Sequence, residues 1–156
     1  MNFTFDVPVP ELCGIHQLMI PVSDLSQALD FYEETFGARR SGERDRAASD
    51  GAVCAYCLWM PGLGCLLELR LAPELAAVHD GFSAVTFAVD DRTTLERWLA
   101  RFEALGVRNS GLITSARSWF AVAEDPDGHR IRLHALRGHG GRLRADADDD
   151  GGGWWC

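Results

Sequence analysis

Apolar residues recur along this chain with two periods: they alternate in short runs and fall three and four apart in two longer ones. Over 14–22 the alternation is strand-like, with Leu18, Ile20 and Val22 on one face and Gln17, Met19 and Pro21 on the other. Ser23 or Asp24 can then cap a helix carrying Leu25, Ala28, Leu29, Tyr32 and Phe36, which Gly37 stops. Strands are expected at 38–44, 52–60 and 65–71, and 73–80 reads as a connector with room for one helical turn. The pattern then recurs. A strand at 82–89 leads to a helix that Asp91 opens, Leu95, Trp98, Leu99, Phe102 and Leu105 line, and Gly106 ends. Strands at 107–114, 118–124 and 129–136 follow, the last entered through the turn Asp125-Pro126-Asp127-Gly128.

A strand-helix-strand-strand-strand order therefore occurs twice. Val22-Ser23-Asp24 aligns with Val89-Asp90-Asp91 at an offset of 67, and Gly64-Cys65-Leu66-Leu67-Glu68-Leu69 with Gly128-His129-Arg130-Ile131-Arg132-Leu133 at an offset of 64. The chain divides into an N-terminal arm (1–11), a first module (12–72), a connector (73–80), a second module (81–136) and a tail (137–156). The tail, with an Asp run at 146–150 and the ending Trp154-Trp155-Cys156, has few apolar residues and many glycines and is expected to be disordered.

Composition narrows the function classes. With 156 residues the chain can bury one substantial core, and a net charge of -8 disfavours nucleic acid as a partner. All 15 basic residues are arginine, which removes lysine Schiff-base chemistry. No apolar run is long enough to span a membrane, and the first ten residues do not resemble a signal peptide. Five cysteines, an odd count, are read as reduced thiols of a cytoplasmic protein. Cys54 and Cys57 have redox or zinc spacing but sit inside a strand-like run without a second pair, and are read as strand residues.

The strand faces opposite the greasy ones hold the candidate chemistry. Glu68 shares its face with Leu66 and Arg70; Ala84 goes with Thr86 and Ala88; Arg132 goes with Arg130 and His134. The repeat superposes Gln17 on Ala84 and Glu68 on Arg132. Alternation places His16 on the helix-packing side as a structural histidine, while His134 beside Arg132 is the better acid or base. His129 is expected at the surface. Trp59, Trp119, Tyr56 and Phe120 lie on strands, where one or two could stack on a planar ligand. Arg39, Arg40, Arg44 and Arg46 read as a solvated edge.

At this point the residues resemble a known family. The stretch Ile15-His16-Gln17-Leu18-Met19-Ile20-Pro21-Val22-Ser23-Asp24-Leu25, with Phe31-Tyr32 and Phe36-Gly37 beyond it, is similar to the first module of the vicinal oxygen chelate superfamily. That group includes glyoxalase I, bleomycin-resistance proteins and extradiol dioxygenases. Phe87-Ala88-Val89-Asp90-Asp91, Leu105-Gly106-Val107, Ser110-Gly111 and the run from Asp125 to Leu133 resemble its second module. The resemblance implies an α+β fold of two βαβββ modules forming a concave eight-stranded mixed sheet with helices outside, in a homodimer. It implies metal-ligand positions at Gln17, Glu68, Ala84 and Arg132. A methyl group cannot ligate and a guanidinium repels a cation, so no metal cofactor is expected; a divalent ion, if bound, would use Gln17 and Glu68.

Three readings stay open. The chain binds a small organic molecule such as a natural product, using Gln17, Met19, Glu68, Arg132, His134, Trp59 and Trp119. It is a metal-free enzyme of specialised metabolism in which Glu68, Arg132 and His134 manage charge and protons. Or it is a divalent-metal lyase, isomerase or dioxygenase with an unusual ligand set. In the first two readings Arg132 either pairs with Glu68 across the pocket or holds an acidic oxygen of the ligand.

Overall fold

The computed structural model describes residues 10–138. The first half contains β1 (Gln17–Val22), α1 (Leu25–Phe36), β2 (Arg39–Arg40), a 3-10 turn at Gly42–Arg44, β3 (Arg46–Ala47), β4 (Val53–Trp59) and β5 (Leu66–Leu71). The short helix α2 (Pro73–Val78) leads into β6 (Val85–Val89), α3 (Arg92–Ala104), β7 (Ile113–Thr114), β8 (Trp119–Glu124) and β9 (Arg130–Ala135). Most of the arm and tail, with the Asp run, Trp154, Trp155 and Cys156, lies outside the described residues.

Both long helices begin on an aspartate, Asp24 rather than Ser23 in the first and Asp91 in the second. The Asp24 carboxylate accepts from the backbone N–H groups of Ser26 and Gln27, and Asp91 accepts from that of Thr94. These bonds, from Gln27 foremost in one case and Thr94 in the other, hold both carboxyls below their ordinary range. Gly37 closes α1 at φ 69°, a left-handed conformation that glycine adopts without a Cβ clash.

The strands form two sheets, one of five ordered β1-β5-β4-β2 with β3 also on β4, and one of four ordered β6-β9-β8-β7. Each sheet is mixed: β1 runs parallel to β5 and β6 parallel to β9, while the remaining pairs are antiparallel. The internal repeat is visible in the register. Leu18 pairs with Leu67 and Val85 with Ile131, which are the same two offsets found in the sequence. Two expectations need correction. The strand expected over 38–44 is broken by the 3-10 turn into β2 and β3. The strand expected over 107–114 shrinks to Ile113–Thr114 and one bridge at Asn109. The Asn109 side chain bonds Val107 O and Gly111 N there, competing with the ladder.

One core serves both halves. Ile20, Val22, Leu58, Leu67 and Leu69 of the first sheet join Ala121, Ala123, Ile131 and Leu133 of the second through α1 and α3. Phe36 occupies the join, with the rings of Phe87, Trp98 and Phe102 at 6.0, 5.5 and 6.2 Å. Burying one such ring stabilises the fold by about 3 kcal/mol. Polar contacts reinforce the same side: Tyr32 Oη donates to Asp125 at 3.1 Å, Arg101 Nε to Thr35 O at 2.8 Å, and Ser23 N to Asp127 at 3.0 Å. The modules are thus fastened through their helical layer, and each sheet turns its other face away from it.

Candidate functional site

On the first sheet, the face turned away from the helices carries Gln17 and Met19 of β1, Ala55, Cys57 and Trp59 of β4, and Leu66, Glu68 and Arg70 of β5. Glu68 is its electrostatic centre and is 1% exposed. Gln17 Nε2 donates to Glu68 Oε2 at 3.0 Å, and Arg70 donates to Oε1 through Nε at 2.9 Å and through a terminal nitrogen. Arg46 Nε stands 3.9 Å from Oε2. Cys57 lies opposite Glu68 in the ladder; burial and then the Glu68 charge push its thiol pKa up, so it stays protonated and inert. Trp59 is half-exposed, with the Arg44 guanidinium 5.7 Å from its ring centre. His16, Arg44, Trp59, Cys65 and Leu66 border a cavity of about 360 Å³ at this end of the face.

On the second sheet the equivalent face carries Thr86 and Ala88 of β6, Arg132 and His134 of β9, and Phe120 and Val122 of β8. Met19 opposite Glu68 corresponds to Thr86 opposite Arg132. The His134 ring stacks on Phe120 with centres 6.1 Å apart and planes 8° from parallel, and the Arg132 guanidinium lies 5.3 Å from the same ring. Ala84 precedes β6 and is exposed. Trp119 lies on the other face of β8, packed against the core with Arg92 over its ring at 5.6 Å.

The structure therefore joins Gln17 with Glu68 and, separately, Arg132 with His134. Among the described residues the ion partners of Glu68 are Arg70 and Arg46, not Arg132. Sequence reasoning passed over both. Arg70 was visible as the next residue on the face of Glu68; Arg46 was hidden because the break between β2 and β3 turns it from an edge residue into a neighbour of Ala55. Two histidines also differ from expectation. His16 is exposed at the cavity rather than packed under the helices, since β1 starts only at Gln17. His129 is 5% exposed, because the turn before β9 folds its ring onto Asp125, with Nδ1 at 2.9 Å from Oδ2. Burial works against its charge, but the Asp125 hydrogen bond and charge, with Asp127 behind, more than offset it and raise its pKa. A further cavity of about 310 Å³ opens where the modules meet, lined by Phe36, Met60, Leu63, Phe87 and Trp98, and has no charged wall.

The family model of the glyoxalase/bleomycin resistance protein/dioxygenase superfamily matches residues 14–133. The chain belongs to that superfamily. Among curated proteins it is similar to the metallothiol transferase FosB of Bacillus licheniformis, 26% identical over 131 residues, which cover 80% of this chain and 76% of that one. Its fold matches TnmS3, an antibiotic-binding protein from a Streptomyces species, at a TM-score of 0.64 and 25% identity, covering 81% of this chain and 98% of that one. It also matches the fosfomycin resistance protein FosX of Listeria monocytogenes at a TM-score of 0.63 and 16% identity, covering 80% and 94%.

Metal-using members of the superfamily are expected to ligate at the positions of Gln17, Glu68, Ala84 and Arg132. The residues present do not fit a divalent ion. Ala84 has no donor atom, Arg132 carries a fixed positive charge, and both oxygens of Glu68 are already engaged, by Arg70 and Gln17.

Proposed function

We propose that this protein binds a small organic molecule on the outward faces of its sheets and holds it without turnover. The observation that carries the reading is the chemistry at the ligand positions, where a Gln17–Glu68–Arg70 cluster and a Phe120–His134–Arg132 stack replace a metal-binding set. Such surfaces offer hydrogen bonds, fixed charge and aromatic area, the ingredients of a binding pocket. The likeness to TnmS3, described as an antibiotic-binding protein, across nearly its whole length supports the same reading. The free thiols of Cys13, Cys54, Cys57 and Cys65 suit the reducing cytoplasm, and superfamily membership supports a homodimer, to be measured by light scattering.

The test is a thermal-shift screen of natural products and drug-like compounds in the presence of EDTA, followed by chromatography of the bound fraction. A ligand that raises Tm and is recovered unchanged is the expected result. Conversion of the ligand would instead make the protein an enzyme, and stabilisation that requires an added divalent ion would overturn the metal-free site.

A further inference from the structure

Resting on that reading, we propose that the ligand is an aromatic acid, its ring held against Trp59 and its carboxylate or phenolate oxygen received by Arg44. The cavity beside the Glu68 cluster has an apolar floor, buried Leu66 paired with half-exposed Trp59 across the β4–β5 ladder. The 3-10 turn between β2 and β3 carries Arg44 to its wall, where the guanidinium approaches the Trp59 ring at 5.7 Å. A flat ring laid on Trp59 therefore meets a cation at the edge of its stack.

The local charge decides the polarity of that ligand. The whole chain is acidic at -8, yet Arg44, Arg46 and Arg70 gather on this face around one buried carboxylate. Glu68 is taken by Gln17 and Arg70; Asp45 is taken by Arg40 and by the Cys57 backbone N–H. Glu43 shares the turn but is exposed and makes no ion pair with Arg44 among the described residues, where Arg44 forms none at all. Arg46, at 3.9 Å from Glu68, is beyond hydrogen-bond reach and adds a second positive charge nearby. A neutral ligand covering Arg44 would strip water from a guanidinium and give nothing back, and a cationic one would be repelled; an acidic oxygen supplies the missing acceptor.

The experiment is calorimetric titration of the full chain with 1-naphthoate and with its neutral counterpart 1-naphthamide. Naphthoate should bind about tenfold more tightly, the difference made by one charge-assisted hydrogen bond. Arg44→Gln, a change at an exposed residue, should bring naphthoate to the level of naphthamide while leaving naphthamide within about twofold. Trp59→Leu should weaken both probes. Equal binding of the two probes, no binding of naphthoate, or naphthoate binding unaffected by Arg44→Gln would overturn the proposal, with circular dichroism confirming that the variants fold. If a neutral screening ligand still stabilises the protein, only the ligand class is refuted; if no compound of any class does, the binding reading itself falls.

Discussion

Removing Arg70 while keeping Glu68 is the sharpest perturbation the first sheet offers. Glu68 is almost wholly buried, and its Oε1 receives Arg70 Nε at 2.9 Å. At an effective dielectric of 20 such a pair attracts by about 6 kcal/mol. Desolvation of the carboxylate and the water around Arg70, whose side chain is 39% exposed, take back most of that, leaving about 2 kcal/mol. Arg70→Met keeps the aliphatic packing and strands the charge with only Gln17 and the distant Arg46. Urea unfolding should show a loss of about 2 kcal/mol at unchanged m-value. Glu68→Gln, which removes the buried charge, should cost about 1 kcal/mol, and Arg70→Met in that background should add less than about 0.5 kcal/mol. A Glu68→Gln/Arg70→Met double variant that loses the full sum of the two single changes would refute the argument, because the arginine would then matter for something other than the carboxylate.

Three further outcomes follow from the fold. His129 has a raised folded-state pKa, so its protonated form stabilises the protein fully below its ordinary value of 6.5, and that contribution fades as pH rises through the folded pKa; Tm should fall on going from pH 6.5 upward, His129→Gln should flatten the slope, and a Tm that rises there would contradict the assignment. Tyr32→Phe removes a fully buried hydroxyl from Asp125 and should destabilise by about 1–3 kcal/mol in denaturant, with no change expected in ligand binding. Gly37→Ala should cost about 1 kcal/mol by calorimetry from the positive φ alone, since the added methyl would meet nothing closer than Pro61 Cγ at 3.8 Å.

What the sequence disclosed, and what it withheld, separates by range of interaction. The capping aspartates, the Gly37 stop and the two-residue alternation are local, so the helices and the faces of β1, β5, β6 and β9 could be read directly. That Gln17 and Glu68 share one site followed from strand alternation and from the family resemblance at those positions. The partners of Glu68 did not, because Arg46 reaches it only through an irregular β2–β3 segment that resembles an ordinary solvated edge. The same holds for His129, whose burial depends on a turn folding back on Asp125 and on Tyr32 arriving from 93 residues away.

The join around Phe36 bears on how such a protein changes over time. Because the halves are held together by side chains on the helical side, substitutions on the outward faces leave the attachment between them untouched. Each duplicate can then exchange its polar residues independently, as Glu68 and Arg132 at matching places illustrate. Cleavage between the copies should have the opposite character: neither fragment would retain a closed interior, so both should unfold together rather than survive as separate pieces.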